Sequence, residues 1–429
     1  MKKHIIFSLL CFIAFGSITF AQRPKPAPMQ SEPIAITGAT LHTATGSVLS
    51  NTTIVFDKGV ITSIGGVVPQ GAKIIDAKGK HVYPGFILVN NALGLVEISA
   101  TNATVDFNEA NSMVPEIRTL VAFNTDSHVI PTVRSNGVLL TQPVLSRGLL
   151  AGTSSVMQLD AWNWEDAVVK ADNVLHLNWP EIRRYSDEKR TKERETKRQE
   201  EIQELKGLFA RARVYNKNGG VKEYKLESVS PVFSGDKTIF ASVSGPNEAL
   251  EFMKFVKDFD LPKAVLLGDA SLNSVLDDIK KSGLSLIVTN PHSLPPSPSS
   301  SPRITYEFAR MVSEKGILHG LDYSARKDFS DSRNLGFLAG TTAAYGLDKE
   351  KALQSITLNL AKMLGIDDKY GSLELGKSAT LFISEGDALD QLTQKVTQAF
   401  IDGRSIELEN HQDVLYERYK EKYSKQDQK

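Results

Sequence analysis

The sequence predicts an α/β chain: an eight-stranded barrel of alternating strands and helices, carrying a small β-sandwich built from both chain ends. Three observations carry this reading. Strand and helix patterns alternate through the middle of the chain, short hairpin-like strands occur near both of its ends, and the alternating stretch runs over about 270 residues, the length of one α/β barrel.

Near the amino end, residues 34–36, 53–56 and 60–64 are short apolar runs, the last two separated by the turn Asp57-Lys58-Gly59. Apolar runs bounded by Gly and Asp in this way are the pattern of antiparallel hairpins. The same pattern returns at 379–383 and 396–401, the latter followed by Asp402-Gly403. A composite β domain is therefore expected from 34–83 with 367–410, the barrel from 84–366, and a C-terminal tail over 411–429.

Phe86 opens the first barrel strand. Further on, the strand at 238–243 precedes a helical pattern at 247–259, 264–267 precedes 272–282, and 284–288 precedes 304–314. The strand at 317–321 then precedes helical patterns at 335–345 and 349–364. Alternation of this kind requires parallel strands joined by crossover helices. Two segments interrupt it. Residues 180–213 are dense in Lys, Arg and Glu, with opposite charges four apart (Glu188 and Lys192, Glu193 and Lys197) and an apolar stripe of Ile202, Leu205 and Phe209. They read as a charged helix opened by Pro180, either a solvated excursion or a docking arm for another subunit. Residues 293–302 hold four prolines and five serines and read as a loop at a strand end, where a barrel borders its active site.

Residues 1–21 have a basic start (Lys2, Lys3), an apolar run at 5–15 and small residues at 19 and 21, the pattern of a secretory leader. An exported chain, periplasmic or secreted, is expected, with no membrane attachment after cleavage. The 50 basic and 50 acidic residues balance, so nothing favours capture of nucleic acid or an anionic membrane. Cys11, the one cysteine, lies in the leader, which excludes disulfide staples and thiolate ligands from the mature chain.

Three segments carry a resemblance: Gly79-Lys-His-Val-Tyr-Pro-Gly-Phe-Ile87 after the hairpins; Arg147-Gly-Leu-Leu-Ala-Gly-Thr-Ser-Ser155 with 159–166; and the run of 346–379 that includes Tyr370-Gly-Ser-Leu-Glu-Leu-Gly-Lys-Ser-Ala379. Over nearly its whole mature length the chain resembles the amidohydrolase superfamily, most closely the secreted imidazolonepropionase-like branch. The resemblance implies a TIM-like (β/α)8 barrel. It also implies zinc or another divalent metal at the carboxyl ends of the strands, activating water for hydrolysis of non-peptide carbon–nitrogen bonds.

In that superfamily the ligands are His-x-His on the first strand, a Lys or Glu on a middle strand, single histidines on the next two strands and an Asp after the last. Here the first-strand positions are Asn90 and Ala92, preceded by Leu88. Ser242 or a neighbour stands where the next histidine is expected, and 264–269 offers only Gly268 and Asp269. Near the last strand Asp322 is the candidate for the catalytic aspartate; Ser324 also fits the spacing, with Asp328 and Asp331 downstream.

The other histidines, His42, His81, His128, His176, His292, His319 and His411, share no two-, three- or four-residue spacing that would aim a pair at one metal. His319 with Asp322 is the pair expected to meet at the barrel mouth; His176 and His292 are further candidates to reach it. Trp162, Trp164 and Trp179 are read either as core packing or as the wall of a ligand pocket. No Gly-x-Ser-x-Gly elbow, Walker-type loop or Gly-x-Gly-x-x-Gly occurs after a strand.

The expected function is a catalytically impaired amidohydrolase-like protein. It would bind no metal, and would act as a ligand-binding protein or as a subunit paired with itself or with an active homologue. The alternative is an active hydrolase of cyclic or linear amides with a remodelled site, Asp322 acting as general base with His319 in support.

Overall fold

The computed structural model describes residues 25–323 and 329–424; the leader at 1–21, Ser324 and Asp328 lie outside the described residues. Five strands come first: β1 (Ile34–His42), β2 (Val48–Asp57), β3 (Val60–Ile64), β4 (Lys73–Asp76) and β5 (His81–Pro84). Barrel strands follow: β6 (Phe86–Asn91), β7 (Val138–Pro143), β8 (Leu150–Gln158), β9 (Val168–Asn178), β10 (Thr238–Ser242), β11 (Ala264–Gly268), β12 (Ser285–Thr289) and β13 (His319–Asp322). The chain returns through β14 (Leu381–Ser384), β15 (Val396–Ile401) and β16 (Arg404–Ile406). The expected C-terminal tail begins as a helix, His411–Ser424, none of whose residues is buried.

Strands from the two ends hydrogen-bond into one sheet, in the order β16-β15-β14-β5-β1-β2-β3 with β4 beside β1. β1 pairs with β2 on one edge, and shares its other edge between β4 (from Ile34) and β5 (at Thr40 and Leu41). The sheet curls over its own core. The rings of Phe56 on β2 and Phe400 on β15 meet edge-on at 5.1 Å, and Ile61 N donates to Lys377 O at 2.8 Å. A sandwich-like interior thus forms from a single curled sheet, because β-branched and aromatic side chains on its inner face bury one another.

The barrel sheet keeps chain order from β6 to β13. From β9 onward its strands are parallel. β8 departs from that pattern and runs antiparallel to both β7 and β9. Residues 144–149 between β7 and β8 are too few for a crossover, which takes a dozen or more residues, so the chain turns straight back.

The charged segment is the crossover between β9 and β10. Its helix spans Glu188–Asn218 and starts where Asp187 Oδ1 accepts from Lys189 N and Arg190 N, eight residues beyond Pro180. Ile202, Leu205 and Phe209 are buried, with the Phe209 ring 4.9 Å from that of Phe255. Buried Arg198 forks onto Glu251 at 2.8 and 3.0 Å, and Trp179 Nε1 donates to the same carboxylate at 2.9 Å. One face of this helix is therefore packed on the barrel and the other is solvated.

Two features decide what the barrel can hold. Inward side chains such as Ile87, Leu140, Phe240, Val265 and Ile287 form one buried cluster with Leu360, Ala361 and Leu364 of the helix Leu358–Leu364. That helix lies against the amino ends of the strands, where Asn173 Nδ2 donates to Leu364 O at 2.8 Å. The second feature is the seam between β6 and β13, the two ends of the sheet order. Main-chain carbonyls of Ser355 and Ile356 enter it, accepting from Leu321 N and Ile87 N, each at 2.9 Å.

Candidate functional site at the carboxyl ends of the barrel strands

Strand alternation sets which residues face the barrel axis. Phe240, Leu267 and Ile287 belong to the interior cluster, so Ser242, Asp269 and Thr289, two residues on, continue their face toward the mouth. A Cβ on Gly320 would meet Leu360 at 2.3 Å, which places Gly320, and with it Asp322, on the inner face of β13. Leu321 belongs to the outer core, and His319 shares its face.

His319 and Asp322 are therefore on opposite sides of one strand, and the expected pair does not form. Three residues apart in an extended strand cannot share a face. His319 Nδ1 lies 3.3 Å from Ile317 O, and its Nε2 is buried with no partner. Burial lowers its pKa to about 4, so the ring is neutral near pH 7.

Asp322 meets Asn90 instead. Asn90 Nδ2 donates to Asp322 Oδ2 at 2.7 Å, across the seam between β6 and β13. Val89 faces the interior, so strict alternation would turn Asn90 outward; its φ of 51° breaks the alternation and brings its amide to the carboxylate. Asparagine enters this left-handed region more readily than other non-glycine residues. Next door, Asn90 N donates to Gln142 Oε1 at 3.4 Å, and Gln142 Nε2 is buried without a partner. Asn91 turns away and donates to Thr141 Oγ1 and to the carbonyls of Leu88 and Gln142. Ala92 is buried and lines a cavity of about 20 Å³ with Asn90, Ser146 and Asn178, room for about one water.

His176 is the histidine that does face the interior. Its register partner is Phe240, whose ring it meets edge-on at 5.8 Å, and its Nε2 lies 2.7 Å from Ser154 Oγ. Complete burial lowers its pKa to about 3. The signal for it was the spacing of two from Val174, which belongs to the interior cluster. His292, by contrast, bonds Thr341 Oγ1 at 2.9 Å. His42 sits between Glu350 Oε1 at 2.7 Å and His81 Nδ1 at 3.0 Å, beside the end-derived sheet. Trp179 is core packing against Phe252 and Phe255, whereas exposed Trp162 walls a separate, larger cavity.

Among the described residues, no group of three or more His, Cys, Asp or Glu side chains is placed to hold a metal ion. Among the described residues, the groups around Asn90 are amides and hydroxyls with the Asp322 carboxylate, which accepts a short hydrogen bond from Asn90. This donor set does not fit the imidazole-rich zinc site that the resemblance implies.

Residues 308–406 match the family model of the amidohydrolase family. Over that stretch the chain is similar to the amidohydrolase family. A solved amidohydrolase from Thermotoga maritima MSB8 is similar at 20% identity and TM-score 0.76, over 87% of this chain and 99% of that one. Molinate hydrolase is similar at 15% identity and TM-score 0.55, over 89% of this chain and 96% of that one. A putative prolidase from Bifidobacterium longum is similar at 17% identity and TM-score 0.52, over 91% of this chain and 100% of that one. These likenesses establish the amidohydrolase barrel fold with its attached end-derived sheet. No curated protein matches the sequence.

Proposed function

We propose that this is an exported amidohydrolase-fold protein that runs no metal-assisted hydrolysis at its barrel mouth and works as a ligand-binding or partner subunit. The observation that carries the reading is the 2.7 Å contact of Asn90 Nδ2 with Asp322 Oδ2. An amide stands at the first-strand position and directs its donor at the carboxylate that the superfamily would turn toward metal and water. The cavity beside Asn90, which Ala92, Ser146 and Asn178 also line, is about 20 Å³, room for about one water.

The second reading is a hydrolase of non-peptide carbon–nitrogen bonds with a remodelled site. Gln142 Nε2, a buried donor with no partner beside Asn90, favours it, because a donor of that kind can polarise a carbonyl while Asp322 takes a proton. Metal analysis of the purified full chain, together with turnover on a panel of linear amides and lactams, separates the two. The first reading expects substoichiometric metal and no turnover above the Asp322→Asn variant. Stoichiometric zinc with turnover that Asp322→Asn abolishes overturns it.

A further inference from the structure

A second cavity lies away from the mouth and shares no lining residue with the small cavity beside Asn90. Its volume is about 290 Å³, and it lies between the helix Val129–Arg134, the turn after β8, the strand-free segment at Lys25 and Pro26, and the start of the C-terminal helix. Its floor is a buried charge cluster. Asp160 accepts from Arg134 NH1 through Oδ1 at 2.8 Å, and from Arg404 NH1 and Ala27 N through Oδ2, each at 2.8 Å. Two guanidinium groups share one carboxylate, so this floor carries a net positive charge; Asp126 and Glu409, which line the cavity, and Glu407, which acts on Arg134, are exposed and screened by solvent.

Arg134 is the decisive residue. It is 5% exposed, lines the cavity, and spends NH1 on Leu159 O and Asp160. Its Nε is buried with no partner, and among the described residues no hydrogen bond is made by NH2. The edge formed by Nε–H and NH2–H carries two parallel donors at the spacing that matches the two oxygens of a carboxylate; Nε–H is covered, so a ligand reaches it once the side chain turns toward the cavity. A buried donor left unsatisfied costs about 1–3 kcal/mol, which an incoming acceptor recovers. Above the floor, Ile130, Pro131 and Ala161 form an apolar part of the wall with exposed Trp162, and Lys25, Asp126, His128, Glu409 and His411 form its polar part.

We propose that this cavity binds a small organic carboxylate with an apolar body, its carboxylate held side-on by Arg134 and its body against Trp162. The acid can be a free small molecule or the carboxyl terminus of a peptide, which share this chemistry. The proposal stands whether or not the barrel mouth hydrolyses anything.

Titration of the full chain with 3-phenylpropionate, the free-acid tripeptide Ala-Ala-Phe and the neutral isostere 3-phenylpropionamide tests it, followed by Trp162 fluorescence and by calorimetry. The expected result is saturable binding of at least one acid, binding of the neutral amide at least about tenfold weaker, and loss of the fluorescence change in Trp162→Phe with heat of binding retained. Binding of 3-phenylpropionate alone identifies a small-molecule site, and tighter binding of the tripeptide a peptide terminus. Arg134→Lys keeps the charge on Asp160 but removes the fork and is expected to weaken acid binding at least about tenfold. If that variant fails to fold, Trp162→Ala at the exposed rim weakens acid binding in its place. Equal binding of acid and amide, or no saturable binding of either acid at millimolar concentration, overturns the proposal.

Discussion

Asn90 and Asp322 bridge the barrel seam at its mouth end: the amide of one edge strand donates to the carboxylate of the other at 2.7 Å, over the seam that Ser355 and Ile356 fill from below. The contact is structural as well as diagnostic, since β6 and β13 lie at opposite ends of the sheet order.

Replacing Asn90 therefore tests the seam. Asn90→Ala removes a hydrogen bond to a carboxylate, worth about 1.5–3 kcal/mol, and places a Cβ residue without side-chain compensation at φ 51°. Asn90→Gly loses the same bond but accepts the backbone. Urea unfolding is expected to show both destabilised, with Ala worse than Gly by about 1 kcal/mol. Equal stability of Asn90→Ala and the parent would show that the bridge does not hold the seam.

The proposed function predicts indifference to zinc and to chelators. A ligand at a hundred times its Kd adds about 2.7 kcal/mol to stability. Thermal melts with excess zinc, with EDTA and with neither are expected to superimpose; a rise of several degrees with zinc would show that the chain holds a zinc site.

Stability is expected to fall with acid below pH 6.5. His176 and His319 are held near pKa 3 and 4 by burial, below their ordinary 6.5. Between those values the unfolded chain binds protons that the native state refuses. The stabilisation is thus complete above pH 6.5 and drains as pH falls, by about 1.4 kcal/mol per unit for each ring. His319→Gln is expected to flatten the urea-midpoint slope between pH 6 and about 4.5; an unchanged slope would mean that the ring is protonated in the native state.

Packing of the long crossover helix gives the largest expected effect. Phe209→Ala empties a fully buried aromatic site among Phe233, Phe255 and Phe259 and is expected to cost about 3–5 kcal/mol. Glu251→Gln leaves buried Arg198 with Glu195 alone and costs less, about 1–2 kcal/mol, because Glu251 is partly exposed. A free arm would show neither loss in denaturant unfolding.

The barrel and the sheet from both ends were legible because their signals are local: apolar period, turn residues and the order of strand and helix. Asn90 and Ala92 could be named as first-strand positions, since that motif lies within a few residues of chain. What could not be read were facing and partnership. Whether His319 looks inward depends on the register of β13 against β12, and a one-residue change of face separates a mouth residue from a core one. Asn90 reaches Asp322 only through a left-handed backbone that breaks alternation, and the Arg134–Asp160–Arg404 cluster joins three distant points of the chain. Such convergence is a property of packed elements: local pattern specifies which segments form, while burial and hydrogen-bond satisfaction select which side chains meet.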